Sequence, residues 1–265
     1  GSVAATELGQ APRALEAYGR AFQEDPSNAE VTDTLMRVSE AVDGWPQVVV
    51  LFREAAEQQA GTPLGRDLYV RVAEIEGRFL GNVQNAVTAL ERVLESNPGD
   101  VAVLEALERT WRSAGRWPEV LATLRRRLEV TADPEEYDRV QAEIAAVQDE
   151  RLNDADASVA TYHAMLERDP TNAIALTALD RMFTRLGKWP SLAENLAQQV
   201  SLAPDGESRA ALQFRLAEVH DQRLGNREAA IEILREVVTR EESPDRAVAA
   251  LEAMLGDATY TATVV

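Results

Sequence analysis

The sequence predicts an all-α protein built from antiparallel helix pairs on a 72-residue double period. Three observations predict it. Trp45-Pro46, Trp117-Pro118 and Trp189-Pro190 recur 72 residues apart. Pro26, Pro98 and Pro170 keep the same interval, as do the columns Leu8, Leu80, Leu152, Leu224 and Leu35, Leu107, Leu179, Leu251. Between these landmarks the apolar residues advance in steps of three and four, as in Val72, Ile75, Phe79 and then Val83, Val87, Leu90, Val93, Leu94, which is the period of an amphipathic helix. Independent columns sharing one spacing identify a repeat, and a repeat overrides any domain count based on length.

Each element follows from a local signal. The helices after the Pro26-type prolines begin at Asn28, Asp100 and Asn172, whose side-chain oxygens suit an N-cap. The next helices open on the Trp-Pro pairs. Proline just inside a helix start is cheap, because first-turn N–H groups have no intrahelical partner. Extra loop or helix follows at Gly61-Thr62-Pro63, Ala132-Asp133-Pro134 and Pro204-Asp205-Gly206. A turn at Gly81-Asn82 divides the next two helices, and Asn82, Asp154 and Asn226 occupy its N-cap position. Each period therefore holds four helices in two antiparallel pairs, the pairs alternating between 34 residues (Asp67 to Val101) and 38 residues (Val101 to Arg139). Gly1-Ser2 reads as a cloning remnant, after which the chain enters a repeat partway through, so the native N-terminus, and any signal peptide with it, is expected to lie outside this sequence. Residues 257–265 abandon the helical period and are β-prone, and Thr263-Val264-Val265 fits a weak C-terminal ligand motif.

The 34-residue unit from Asp67 to Asp100 resembles a tetratricopeptide repeat. Gly81, Ala86, Leu90, Val93 and Pro98 fall on that motif's glycine, small, large, small and proline positions, and Tyr18 and Tyr162 restore an aromatic in the Leu90 column. One departure stands out: the small residue of the first helix, Ala73, Ala145 or Ala217, is displaced by one place. In the Trp-Pro units its counterpart is polar or charged, as at Glu108. The resemblance extends over residues 3–256, as about seven helix pairs, partial at both ends. It implies a right-handed α-solenoid whose first helices line a concave wall that commonly holds a peptide or a partner helix. The family's clamp for acidic C-termini needs Lys and Asn on consecutive first helices. Asp33, Arg37, Arg71 and Ile75 stand there instead, so that binding mode is not expected.

Composition narrows the function. With 45% hydrophobic and 27% charged residues the chain can bury a sizeable core, and its net charge of -18 lacks the clustered cations that displace counterions from nucleic acid. No cysteine is present, so disulfides, thiolate metal sites and cysteine nucleophiles are excluded. No apolar run is long enough for a membrane-spanning helix. His163 and His220 lie in different repeats, and no metal, phosphate-loop or triad motif occurs. The expectation is no enzyme, no cofactor and no metal. Of the 27 lysine and arginine residues only Lys188 is lysine, an arginine bias that suggests a GC-rich bacterial source. The compartment, cytoplasm or periplasm, is open.

The candidate binding residues are arginines on first helices. Arg37, Arg109 and Arg181 form one 72-residue column. Two stacked repeats between members place them roughly 20 Å apart, given helix spacings of about 8–10 Å. Arg71, Arg78, Arg112, Arg185, Arg215 and Arg223 also lie on first helices. They are expected to offer forked donors to carboxylates or phosphates of a protein or peptide partner. The competing expectation is local pairing with Glu40, Glu105 or Asp180. Trp45, Trp117 and Trp189 are expected to plug seams between helix pairs rather than to anchor a ligand. The resulting expectation is a protein-interaction scaffold. A self-assembling structural segment and a spacer array of a larger protein are the alternatives.

Overall fold

Helix starts and stops are written locally, and the helices follow from them. The computed structural model describes residues 2–240 and 244–255. They form fourteen α-helices and, among the described residues, no strand. In order these are α1 Ser2–Glu24, α2 Ala29–Val42, α3 Trp45–Gln58, α4 Pro63–Glu74, α5 Val83–Ser96, α6 Val101–Ser113, α7 Trp117–Val130, α8 Pro134–Ala146, α9 Ala155–Arg168, α10 Ala173–Leu186, α11 Trp189–Leu202, α12 Gly206–Glu218, α13 Arg227–Thr239 and α14 Pro244–Leu255. The tail from Asp257 lies outside the described residues.

Asn28, Asp100 and Asn172 cap α2, α6 and α10, accepting from the N–H groups of Val31, Val103 and Ala175 at 3.2, 3.2 and 3.0 Å. Asp154 and Asn226 cap α9 and α13 in the same way, at 3.0 and 3.1 Å. Asn82 departs from the expectation. Its side chain does not cap α5; its Nδ2 donates to Glu76 Oε2 at 2.9 Å. A buried carboxylate competes for that amide more strongly than the helix N-terminus does.

The helices α4, α8 and α12 each end in one π-helical turn, Ile75–Phe79, Val147–Arg151 and Val219–Arg223. The N–H groups of Leu80, Leu152 and Leu224 bond five residues back, at 3.0, 3.0 and 3.1 Å. Gly81, Asn153 and Gly225 then take positive φ (69°, 55° and 64°), which glycine and asparagine tolerate best. A π-turn accommodates one extra residue. It accounts for the one-place displacement of Ala73, Ala145 and Ala217, since the small residue stays in its packing position while the chain gains a residue before the turn. In α1 the matching Gly9-Gln10 lies inside a continuous helix instead.

The chain divides into two units, Gly1–Val140 and Gln141–Val265. In the first, α1 packs on α2, α3 on α4, α4 on α5, α5 on α6 and α6 on α7. Phe22 and Phe52 stack at 4.6 Å in its core, with Leu35, Leu90, Leu104 and Leu107 fully buried. In the second, α9 packs on α10, α10 on α11, α11 on α12, α12 on α13 and α13 on α14, around Met165, Leu179, Leu192 and Leu196. Trp45, 5% exposed, sits at a seam and stacks on Phe79 at 3.9 Å, while Trp117 and Trp189 are half-buried, with Arg223 over Trp189 at 4.7 Å. Phe79 and Arg223 hold the same place at the end of their π-turns.

Candidate functional site: a cleft between first helices

On the first-helix side of the first unit, α4 with its π-turn and α6 stand apart over Leu90 of α5, leaving a cleft of about 530 Å³. Its walls are small residues, Ala73 and Gly77 on one side and Ala106, Thr110 and Ser113 on the other. Its rim carries Arg78 and Arg109, whose side chains are 72% and 70% exposed.

The cause of the opening is legible in the repeat register. In the second unit Asp149 and Arg185 hold the places of Gly77 and Ser113, and Arg185 Nη2 reaches the Asp149 carboxylate at 2.5 and 2.7 Å. That contact, one nitrogen shared by both carboxylate oxygens, ties the π-turn after α8 to α10. Glycine and serine cannot form it. A similar tie joins α10 to α12, where Arg215 holds Asp180 at 2.5 Å, and a looser one joins α2 to α4, Arg71 to Asp33 at 3.7 Å.

The structure thus divides the arginines that the sequence singles out. Arg71, Arg185 and Arg215 are engaged between neighbouring first helices. Arg112 is held by Glu108 at 2.6 Å within α6. Arg78 and Arg109 make long ion pairs within their own helices, to Glu74 at 3.6 Å and Glu105 at 3.9 Å, and Arg78 also lies over the Phe79 ring at 5.2 Å; exposed i,i+4 pairs of this kind contribute a few tenths of a kcal/mol. Arg37 donates to Thr34 Oγ1 at 3.3 Å, and neither it nor Arg181 has an ion-pair partner among the described residues. Arg37 and Arg109 belong to the first unit and Arg181 to the second.

Several polar residues on which the structure depends were missed by sequence reasoning. Glu76, 1% exposed, lies in the first π-turn and is held by Arg53, by Asn82 and by Asn85 Nδ2 at 3.2 Å. Glu108 and Arg127 form a second buried pair at 2.9 Å, and Arg127 also reaches Glu136 at 3.1 Å. The one-place displacement of Ala73 was the available signal for the first of these, because it marks the turn in which Glu76 sits. A further cavity of about 460 Å³ lies by the α3–α4 turn beside Tyr69. Its cations are neutralised in place: Arg66 bonds Asp100 at 2.6 and 3.0 Å, and Arg92 meets Glu95 at 3.0 Å. Arg66 holds the Asp100 carboxyl below the ordinary range, with the Val103 N–H adding to the effect. Burial pushes the His220 imidazole down, and its Nδ1 is buried without a hydrogen-bond partner. No group of three or more metal-ligating side chains occurs among the described residues, and no described helix is long and apolar enough to cross a membrane.

Residues 210–241, which run from within α12 through its π-turn and α13, match the family model of the tetratricopeptide repeat. The chain carries a tetratricopeptide repeat. No curated protein matches the chain by sequence. Among solved structures it is similar to MamA, at 16% identity and a TM-score of 0.39, over 68% of this chain and 94% of that one. It is also similar to YrrB, described as a TPR protein with an unusual peptide-binding site, at 14% identity and a TM-score of 0.39, over 75% and 96%. A structure of Naa15/Naa10 bound to HypK-THB matches at 15% identity and a TM-score of 0.50, over 96% of this chain and 38% of that one. Likeness at these identities concerns the fold. In tetratricopeptide terms α4 and α6 are the first helices of successive repeats, and the cleft lies between them.

Proposed function

We propose that this tetratricopeptide chain is a non-catalytic protein-interaction scaffold, and that the α4–α6 cleft holds an extended peptide segment bearing a carboxylate. One observation carries the reading: the register position that is bridged by Asp149 and Arg185 in the second unit is occupied by Gly77 and Ser113 in the first. Small walls admit a backbone and its side chains. The exposed guanidiniums of Arg78 and Arg109 supply planar donors at the rim, and a peptide carboxylate would replace their weak contacts with Glu74 and Glu105. The shallow, open walls offer none of the shielding that separates the pKa values of an acid–base pair. The test is peptide selection on the full chain, followed by binding measurements on R78E/R109E with circular dichroism as the folding control. Retention of binding by that variant excludes the reading. Light scattering over a range of concentrations tests the self-assembly alternative.

A further inference from the structure

The extra residues after α3 build a wall. There the chain closes a hydrogen-bonded turn, in which the Thr62 N–H and hydroxyl both donate to the Gln59 carbonyl, at 3.0 and 2.7 Å. Gly65 packs against it so closely that a Cβ would lie 2.0 Å from the Gln59 oxygen. Tyr137 and Arg209 hold the register place of Gly65 later in the chain, so this approach is particular to the turn after α3. Between that turn, α4 and the end of α5 lies the cavity of about 460 Å³ beside Tyr69. A smaller one, of about 220 Å³, continues it towards Arg53 and Asn85. Glu57, Tyr69 and Arg92 line both, so the two make one groove between α3 and α5. Along α5 it runs from Asn85 to Ser96, about 16 Å at the helical rise, which matches about five residues of extended chain.

Tyr69 is the floor of the groove, and only 9% of the residue is exposed. Its hydroxyl has no hydrogen-bond partner among the described residues, yet it is not sealed from solvent. Glu57 of α3 and Arg92 of α5 both act on the phenol electrostatically. These are the two charged residues that flank it in both cavities, so the hydroxyl lies in the groove. Burial pushes the phenol up and Glu57 adds to the effect, which keeps it a protonated donor. A tyrosine this deeply buried ordinarily gives its hydroxyl a partner. The arginines of the groove are already engaged: Arg66 by Asp100, Arg92 by Glu95 and Arg53 by Glu76. Glu57 is exposed and has no ion-pair partner among the described residues, and the side chains of Ser96 and Asn97 at the wider end have no hydrogen-bond partner there either.

We propose that the α3–α5 groove binds a short extended peptide segment, its backbone accepting from the Tyr69 hydroxyl and one basic side chain seated on Glu57. With the arginines engaged, the groove offers neutral hydrogen-bonding groups and a single free carboxylate. A peptide backbone meets the neutral groups with donors and acceptors and brings no charge that would compete for the paired arginines. The basic side chain neutralises Glu57, and its cation suits the face of the Tyr69 ring. The net charge of -18 favours the approach of such a segment. The groove lies on the second-helix side, is independent of the α4–α6 cleft and takes the opposite charge.

The test titrates the full chain, followed by NMR, to millimolar concentrations of a capped five-residue peptide of serine and alanine with a central lysine, and of the same peptide with norleucine in that place. The lysine peptide is expected to shift the Tyr69 ring resonances, and the norleucine peptide to bind about fivefold or more weakly. Tyr69→Phe is expected to keep the urea midpoint, since its hydroxyl has no partner to lose, and to weaken the lysine peptide about threefold or more, the range of one hydrogen bond. E57Q is expected to weaken it about fivefold or more, while E54Q, one turn earlier and exposed outside the groove, changes it less than about twofold. Absence of binding, equal binding of the norleucine peptide, unchanged affinity in Tyr69→Phe, or equal weakening by E57Q and E54Q overturns the proposal. R78E/R109E does not touch this groove, so each proposal fails on its own measurement.

Discussion

Asp149 and Arg185 meet at 2.5 Å across the first-helix side of the second unit, and the residues 72 places before them, Gly77 and Ser113, leave the same place open in the first. An ion pair here acts as a strap more than as a source of stability, since exposed pairs contribute about 0–1 kcal/mol. Installing the strap should therefore close the cleft at little cost. A Cβ on Gly77 would meet the Ala86 Cβ at 3.5 Å, ordinary contact distance, and Ser113 is exposed. G77D/S113R is expected to unfold within about 1 kcal/mol of the parent in urea and to lose selected peptides by about tenfold or more. Unchanged peptide affinity in a folded variant would show that the cleft is not used.

Trp45 is a seam residue. It is 5% exposed and stacks on Phe79 of the next helix pair at 3.9 Å. Trp45→Ala is expected to cost about 3–5 kcal/mol, the range for removing a buried aromatic, and Trp45→Phe distinctly less. Equilibrium urea unfolding measures both. A loss below about 1 kcal/mol for the alanine variant would mean that the ring is not part of the core.

Glu76 is a charge inside the first unit, satisfied by Arg53, Asn82 and Asn85. Removing the carboxylate deprives three donors of their shared acceptor, although Arg53, Asn82 and Asn85 all reach solvent. Glu76→Ala is expected to destabilise by about 3 kcal/mol, the low end for breaking a buried pair, because Arg53 is 42% exposed and turns to water. Glu76→Gln keeps an acceptor and is expected to cost less. Thermal or urea melts that rank the two in the opposite order contradict this account of the network.

His220 and Asp100 give the two units different acid responses. Burial lowers the His220 pKa, so the unfolded chain binds its proton more readily than the folded one. The stability it confers is complete above about pH 6.5, the ordinary histidine value, and declines as the pH falls from there towards the folded value. Asp100 is depressed by Arg66. Its contribution is complete above the ordinary aspartate value of about 3.9 and is lost as the pH falls through the folded value. An NMR titration of the His220 ring protons is expected to place its midpoint below that of a histidine in an unfolded peptide, and R66M is expected to raise the Asp100 midpoint. A normal His220 midpoint contradicts the first statement.

Much of the fold was legible because helix boundaries are local. Asn28, Asp100 and Asn172 cap the helices they precede, and the Trp-Pro pairs open α3, α7 and α11. The π-turns were written only indirectly, in the one-place displacement of Ala73, Ala145 and Ala217, because hydrogen-bond register leaves no mark on side-chain type. Asn82 misled because an N-cap is a preference that a nearby buried carboxylate overrides. The arginines on first helices were found, but their division was not. Whether Arg185 is tied and Arg109 exposed depends on a residue about 36 positions away on the neighbouring helix, which no single-helix pattern contains.

The most direct test of the scaffold reading compares two arginines of one column. A peptide selected on the full chain would be labelled and its affinity measured by fluorescence anisotropy for the parent, R109E and R181E. Arg109 stands at the open cleft, and Arg181 holds the same register position in the unit where Asp149 and Arg185 are joined. The account predicts a loss of about tenfold or more, near 1.4 kcal/mol, for R109E and less than about twofold for R181E. Equal losses, or no loss for R109E, would contradict it.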